Sequence, residues 1–174
     1  MAQSVFRKVA GITMSELKAL RDKGLRPGIK ALLYHPLSCD VLLGRLPSGY
    51  PKRFNLPGGG IDRGQSARMA LFRELFEEID GPLFTKHFLQ EQPVVAEGYL
   101  PFQRENFAGK YEFIVAVPSI NLDDFTVKSE SKLDLFPKMH WRDAGKLVRE
   151  DKDCGDEMRS LYTRSVETIQ ELVP

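Results

Sequence analysis

Three carboxylates fall close together in the segment 66–79 of the chain. Glu74, Glu77 and Glu78 stand at positions i, i+3 and i+4, a spacing that puts them on one side of a helix. For one helix taken alone, such a group is most often a solvated acidic face. The alternative is a platform for a divalent cation, because hard carboxylate oxygens on a rigid helix suit Mg²⁺ or Mn²⁺.

A proline and three glycines, Pro57 to Gly60, come shortly before this helix. We expect them to form a loop, outside the interior of any helix or strand, because proline and glycine disfavour both. The bare backbone of Gly58, Gly59 and Gly60 can approach a cation or a phosphate that side chains would block. The spacing favours one site, with the glycine run as one wall and the carboxylates as the other.

Together the two patterns resemble the Nudix box. From Gly59 the chain runs through five residues to Gln65 and through seven more to the run Arg73–Glu78. Gln65 stands where the family has Glu, Asp80 where it has Gly, and Gly81 where it has an aliphatic residue. We expect Gln65 to keep a hydrogen bond to Arg73, and Gly81 to take the left-handed conformation that ends the helix.

This resemblance implies an α/β fold, the Nudix-type α/β/α sandwich with a central mixed β-sheet. It implies hydrolysis of a nucleoside diphosphate linked to a group X, such as a nucleotide sugar, ADP-ribose or a dinucleoside polyphosphate. The implied cofactor is Mg²⁺ or Mn²⁺, held by Glu74 and Glu78 with a backbone carbonyl near Gly59. Two alternatives stay open: removal of pyrophosphate from the 5′ end of RNA, and a non-catalytic module that senses a nucleotide.

The general base varies in position within this family. Glu77 is a candidate as a further metal ligand or as the base, and Arg73 is expected to orient the carboxylates. A loop before the final strand offers Glu130 and Asp134 as other candidates, provided that one of them reaches the attacking water.

Aromatic and cationic residues near the glycine run are candidates for binding the substrate, because bases stack on aromatic rings and phosphates attract cations. Tyr99 stands where family members that act on dinucleoside polyphosphates carry a tyrosine. The candidate substrate-binding residues are Tyr50, Arg53, Phe54, Gly58, Gly60 and Tyr99.

Composition predicts one globular domain over residues 1–174, with 42% hydrophobic and 28% charged residues. The formal net charge of +1 gives no reason to expect DNA coating or membrane-surface binding. Cys39 and Cys154 form no CxxC pair, which favours free thiols in a reducing compartment. We therefore expect a cytoplasmic protein without a membrane span, and a homodimer is an expected state because many relatives dimerise.

Hydrophobic spacing and turn residues predict the elements that position the site. Helices are expected at 14–23, 66–79 and 156–172. Thr13 is the expected cap of the first helix and Ser66 that of the second. The first helix belongs to an N-terminal extension over 1–26. In the middle helix, Phe72, Leu75, Phe76 and Ile79 are expected to face the core. A turn is expected at 26–28, and strands at 29–34, 40–45, 94–100, 111–118 and 139–141.

Overall fold

The structure is a computed structural model. It describes residues 6–45, 54–101, 107–128, 134–135, 138–152 and 154–172. At positions 45, 54, 134 and 135 the description covers the backbone alone.

A six-stranded mixed sheet forms the centre of the molecule. In spatial order β11, β2, β1, β8 and β7 lie side by side, and β5 pairs with the first half of β1. The β1–β8 pair is parallel and every other pair in this sheet is antiparallel. The six strands are β1 (Leu25–Tyr34), β2 (Asp40–Leu42), β5 (Gly58–Gly60), β7 (Val94–Leu100), β8 (Gly109–Pro118) and β11 (Met139–His140).

Five short strands form two small sheets beside it. The first joins β3 (Gly44–Arg45) to β4 (Phe54–Asn55) and to β10 (Asp134–Leu135). The second pairs β6 (Ile79–Asp80) with β9 (Thr126–Val127).

Helices cover both faces of the central sheet, which confirms the predicted α/β/α sandwich. On one face Leu17, Leu71 and Leu89 pack with the sheet residues Ile29 and Phe113. The other face buries the helix residues Val148 and Ile169 against Leu32 and Ile114. The first face carries α1 (Met14–Asp22), α2 (Ala67–Glu78) and α3 (Lys86–Gln90), and the second carries α4 (Trp141–Glu150) and α5 (Asp156–Leu172).

Two predictions near the glycine run were wrong, because a predicted turn and a predicted loop are both strands. The expected turn at 26–28 is part of β1, because β8 pairs with β1 in parallel from Leu25 onward and holds the segment extended. The glycine run is also a strand, with Ile29 of β1 opposite Gly59. Gly58 has a φ of 135° there, a conformation that glycine adopts without strain.

The prediction for the helix at 66–79 was right in position and partly wrong in orientation. Leu75 and Ile79 are buried as expected, but Phe76 is 59% exposed. The buried side of α2 is built instead from Ala67, Ala70, Leu71, Glu74 and Leu75. The core-facing side is therefore rotated toward Glu74 and leaves Phe76 outside.

Helix ends show similar mixed outcomes. The Thr13 side chain accepts a hydrogen bond from the Glu16 backbone N–H, as predicted. Ser66 occupies the cap position of α2, but its side chain makes no cap hydrogen bond. α2 ends at Glu78, and the extended Ile79 begins β6 (Ile79–Asp80). Gly81 has a positive φ of 151°, but it follows this strand, so the prediction that it ends the helix is wrong. The predicted strand at 139–141 stops at His140, and α4, which was not predicted, begins at Trp141.

Candidate active site

The glycine strand β5 and the helix α2 meet at an edge of the central sheet. A Cβ atom added to Gly59 would lie 2.5 Å from Glu74 Oε1 and 2.6 Å from Glu74 Oε2. One added to Gly58 would lie 2.2 Å from the carbonyl oxygen of Ile29. Because both distances are far below ordinary contact, this close approach requires glycine at both positions.

Two of the three predicted carboxylates lie against this strand. Glu78 Oε2 accepts a hydrogen bond from the Gly58 backbone N–H at 2.6 Å. Glu74 is 9% exposed and its carboxylate lies against Gly59. Burial raises the pKa of both carboxyl groups above its ordinary value, and the charges of neighbouring carboxylates, Glu77 among them, raise it further. A bound cation would relieve this burial and repulsion, so Glu74 and Glu78 are candidates for a cation site.

Arg73 connects the helix to the glycine strand. Its Nη2 atom donates to the carbonyl oxygen of Gly60 at 3.0 Å and lies 2.8 Å from Glu74 Oε1. Its Nη1 atom lies 3.5 Å from the exposed carboxylate of Glu77. Within the described part of the chain, Arg73 Nε is buried without a hydrogen-bond partner. The guanidinium thus joins the Glu74 carboxylate to the backbone of β5, and the orienting role of Arg73 stays a prediction.

The predicted hydrogen bond between Gln65 and Arg73 is wrong for the described structure. Gln65 Oε1 instead accepts from the backbone N–H of Asp62 at 3.2 Å. The neutral amide is used to close the loop that follows β5, and this leaves the Nε donor of Arg73 unsatisfied.

Lys30 is a site residue that the sequence reasoning missed. It is 7% exposed on β1, and its Nζ atom donates to the carbonyl oxygen of Gly58 at 2.6 Å. Its positive charge lowers the pKa of Glu74 and Glu78, which opposes part of the effect of burial. A lysine inside the apolar run 29–34 was the available signal, because a charge is rarely buried without a partner.

Other predicted site residues are spread more widely. Tyr99 lies on β7, two strands away from β1, and its hydroxyl donates to the carbonyl oxygen of Ala108. The backbones of Phe54 and Asp134 lie in β4 and β10, which both pair with β3. Tyr50, Arg53 and Glu130 lie outside the described residues. The structure thus gathers Arg73, Glu74 and Glu78 at β5, with Glu77 at the exposed border.

The donor set fits a hard divalent cation. Across the described ranges, no three His, Cys, Asp or Glu residues are grouped tightly enough to hold a metal ion by themselves. Magnesium usually takes only one or two protein carboxylates, and waters and substrate phosphates complete its coordination. Glu74 and Glu78 provide that number, and the missing Cβ of Gly59 lets the Glu74 carboxylate lie directly against the backbone of β5.

Two adjoining cavities open beside the glycine strand. The smaller, which we call the strand recess, has a volume of about 150 Å³ and is lined by Arg26, Gly28, Lys30, Gly60, Lys110 and Glu112, among others. The larger, which we call the arginine groove, has a volume of about 460 Å³ and is lined by Arg21, Arg26, Asp62, Arg63 and Phe107, among others. Arg26 lines both, so the two cavities meet at its side chain.

Arg21 and Arg26 shape the arginine groove. Arg21 Nη2 donates to the carbonyl oxygens of Ile61 and Asp62, at 2.8 and 2.9 Å, and ties α1 to the loop after β5. The guanidinium of Arg26 lies over the ring of Phe107, 5.8 Å from its centroid.

Within the described residues, no helix is long and apolar enough to cross a membrane.

Comparison with known proteins gives a short sequence match. Over 61 residues the chain is 39% identical to the RNA pyrophosphohydrolases of Campylobacter jejuni subsp. doylei and C. jejuni subsp. jejuni. The match covers 33% of this chain and 38% of the length of each of these relatives. No protein-family model matches the chain.

Solved structures match over most of the chain. The E. coli ORF135 protein superposes with a TM-score of 0.55 at 17% identity, covering 86% of this chain and 94% of that protein. For a C. elegans Ap4A hydrolase the TM-score is 0.56 at 19% identity, covering 84% and 98%. These neighbours are Nudix hydrolases. The chain has the Nudix fold. A bifunctional NMN adenylyltransferase/ADP ribose pyrophosphatase from Francisella tularensis shares this Nudix fold with a TM-score of 0.58 at 16% identity, covering 91% of this chain and 46% of that protein.

Proposed function

We propose that this Nudix-fold protein is a metal-dependent pyrophosphohydrolase, which cleaves the diphosphate linkage of a nucleoside diphosphate joined to a group X. One observation carries the proposal. Glu74 and Glu78 lie against a strand of three glycines, and burial raises the pKa of both carboxyl groups. Glu74 and Glu78 would together hold a cation. A ligand that approaches the bare backbone of β5 would lie beside it.

Each residue of the site has a distinct task in this proposal. Glu74 and Glu78 would hold Mg²⁺ or Mn²⁺, which when bound supplies charge neutralisation to the diphosphate oxygens. Arg73 keeps Glu74 in position through its contacts with Glu74 Oε1 and the Gly60 carbonyl oxygen. Lys30 keeps β5 in position through the Gly58 carbonyl oxygen.

The proton of the attacking water requires a base. Glu77 is our first candidate, because its exposed carboxylate borders the site and can release a proton to solvent. Glu130 and Asp134 remain predictions for the same role. Location in the cytoplasm and homodimerisation also remain predictions.

The substitution Glu78→Gln tests the metal site. A glutamine keeps an oxygen that can accept from the Gly58 N–H, but it removes the charge that would hold the cation. We expect at least about a hundredfold loss of Mg²⁺-dependent turnover on a panel of ADP-ribose, nucleotide sugars and dinucleoside polyphosphates. Mn²⁺ affinity, measured by electron paramagnetic resonance, should fall with it.

The exposed Glu150 on α4 provides a matched control, because Glu150→Gln makes the same chemical change on a helix that packs on the opposite face of the sheet. Turnover and Mn²⁺ affinity should be unchanged in this control. If Glu78→Gln retained wild-type turnover and Mn²⁺ affinity, Glu78 would not be a ligand. A wild-type protein that bound nucleotides but hydrolysed none of the panel would favour the non-catalytic alternative.

A second candidate substrate is the 5′-triphosphorylated end of RNA. The arginine groove supports it, because Arg21, Arg26 and Arg63 lie beside the glycine strand and Phe107 offers a ring for stacking. The curated relatives named RNA pyrophosphohydrolase also support it. A local cationic groove provides the phosphate attraction that the net charge of +1 does not.

Substitution of Arg26 separates the two candidates. With an RNA substrate, Arg26→Ala should raise KM about tenfold and weaken the dependence of KM on salt, because a phosphate contact is lost. The exposed Lys146→Ala, on the opposite side of the sheet, is the control. An Arg26→Ala variant with unchanged KM on RNA of several nucleotides would remove the groove from RNA binding.

A further inference from the structure

The strand recess lies on the sheet face opposite α2. Along a strand, side chains alternate between the two faces. Phe113 packs with α2 in one core, whereas its neighbour Ile114 packs with α5 in the other. Glu112 therefore shares the face of Ile114, and it lies beside Gly28 of β1 in the parallel register. The recess is separated from Glu74 by the thickness of the sheet at β5.

Glu112 is a buried carboxylate with an unsatisfied oxygen. The residue is 2% exposed and lines the recess. Its Oε2 atom has no hydrogen-bond partner among the described residues. A buried acceptor without a donor is destabilising, and a charged one more so. A donor that enters the recess with a ligand would remove this cost.

Three cationic side chains, Arg26, Lys30 and Lys110, also line the recess. Lys30 Nζ donates to the Gly58 carbonyl oxygen at 2.6 Å. The hydroxyl of Tyr162, on α5, is paired with Asn55 Oδ1 at 3.4 Å. Burial first, and then the charge of Glu112, raise the pKa of Tyr162 well above its ordinary value, which agrees with a carboxylate close to that ring.

Gly28, which has no side chain, leaves space beside the Glu112 carboxylate. A Cβ atom added to Gly28 would lie 3.5 Å from Glu112 Cγ and 3.3 Å from the Gly59 carbonyl oxygen. Any larger side chain at position 28 would enter the space between Glu112 and the glycine strand. The recess thus extends from the Glu112 carboxylate to the backbone of Gly59 and Gly60, the strand whose other side faces Glu74.

We propose that Glu112 determines base specificity, by accepting hydrogen bonds from the N1–H and N2–H groups of a guanine in the substrate. This inference rests on the proposed function for the chemical class of the ligand. A carboxylate only accepts hydrogen bonds, and guanine presents two adjacent N–H donors on its Watson–Crick edge. The two oxygens of one carboxylate match that pair.

Other bases fit a carboxylate less well. Adenine and cytosine place a ring-nitrogen acceptor beside their amino group, and uracil places a carbonyl oxygen on each side of its single N–H. Each would set an acceptor against the negative charge of Glu112, which is unfavourable where water is excluded. Inosine keeps the N1–H but lacks the 2-amino group, so it reports on one of the two hydrogen bonds.

The test is calorimetric titration of the full chain with GMP, IMP and AMP, without a divalent cation. We expect GMP to bind at least about tenfold more tightly than IMP or AMP, the usual effect of one hydrogen bond to a charged group. Glu112→Gln, which replaces one acceptor with a donor, should reduce the preference to within about twofold. Glu150→Gln should leave it unchanged.

Several results would overturn the proposal. These are equal affinity for the three nucleotides, no GMP binding at millimolar concentration, or a full GMP preference in Glu112→Gln. A further result would also overturn it. If dGMP bound more weakly than GMP while GMP and AMP bound equally, Glu112 would contact the ribose instead of the base. The comparison of GMP with IMP on the wild-type protein needs no variant, so it decides the question even if Glu112→Gln fails to fold.

The outcome is independent of the test of the proposed function. Selective GMP binding without Mg²⁺-dependent hydrolysis would support the guanine recess and refute the pyrophosphohydrolase. Hydrolysis without base preference would do the reverse.

Discussion

Gly59→Ala perturbs the contact on which the proposed metal site depends. The added methyl group would meet all three terminal atoms of the Glu74 carboxylate at 2.5 to 2.6 Å. Gly59 does not have the positive φ that Gly58 has, so its backbone accepts alanine without strain. The variant therefore tests the space beside the carboxylate and little else.

The size of the effect follows from that distance. To move from 2.5 Å to an ordinary separation of 3.4 to 4 Å, the carboxylate must recede by about 0.9 to 1.5 Å, and a displacement near 1 Å costs about a hundredfold in rate. Overpacking lowers the free energy of unfolding by about 1–3 kcal/mol, and the smaller unfolded-state entropy of alanine returns about 0.4–1 kcal/mol. We expect a folded protein with a melting temperature lowered by a few degrees.

The assay measures kcat, Mn²⁺ affinity and the melting temperature of the same preparations. Gly155→Ala is the matched control, because a Cβ atom at Gly155 has nothing within 4 Å. The control should keep all three values. Wild-type kcat and Mn²⁺ affinity in Gly59→Ala would refute the role of Glu74 at the glycine strand, since the carboxylate cannot stay where it is.

Two further predictions concern stability. Thr13→Ala should lower the free energy of unfolding by about 1 kcal/mol and the melting temperature by about 2–4 °C, because the hydrogen bond to the Glu16 N–H is lost. Ser66→Ala should change it by less than about 0.5 kcal/mol, because Ser66 makes no cap bond. Since burial raises the pKa of Glu74 and Glu78 above 4.5, the folded protein binds more protons than the unfolded chain just above that pH. Their contribution to stability therefore falls as pH rises through the raised pKa values, and urea unfolding in chelator should show a flatter profile for the double Glu→Gln variant.

Each of these predictions has a contradicting result. Equal melting temperatures for the two cap variants would mean that the Thr13 hydrogen bond contributes nothing. For the carboxylates, the free energy of unfolding is compared as a function of pH. If its profiles for the wild-type protein and the double variant were parallel above pH 4.5, burial would not raise the pKa of Glu74 and Glu78. Addition of Mg²⁺ should restore stability to the wild-type protein at higher pH and leave the double variant unchanged.

Local sequence pattern predicts some features of α2 and misses others. The position of the helix and the grouping of Glu74 and Glu78 followed from spacing alone. The side that faces the core did not, because the small Ala67 and Ala70 are buried there while the large Phe76 is 59% exposed. Helical periodicity ranks residues by hydrophobicity, whereas packing also depends on size.

The glycine run was misjudged for a related reason. Intrinsic propensity opposes a strand of three glycines, yet β5 forms because β1 offers it hydrogen bonds along Gly28 to Lys30. The same long-range pairing made the expected turn at 26–28 into a strand. Both errors lie where the functional site requires bare backbone, so local preference gave way to tertiary pairing.

The box-like spacing, the helix that carries its carboxylates and the main strands could be predicted from the amino-acid sequence, because each depends on residues near one another in the chain. Which side chains meet follows from the three-dimensional fold alone. Lys30 reaches the Gly58 carbonyl oxygen, Arg26 lies over Phe107, and Glu112 lies beside Gly28. These contacts come from the register between strands that are distant in sequence, and no local pattern encodes that register.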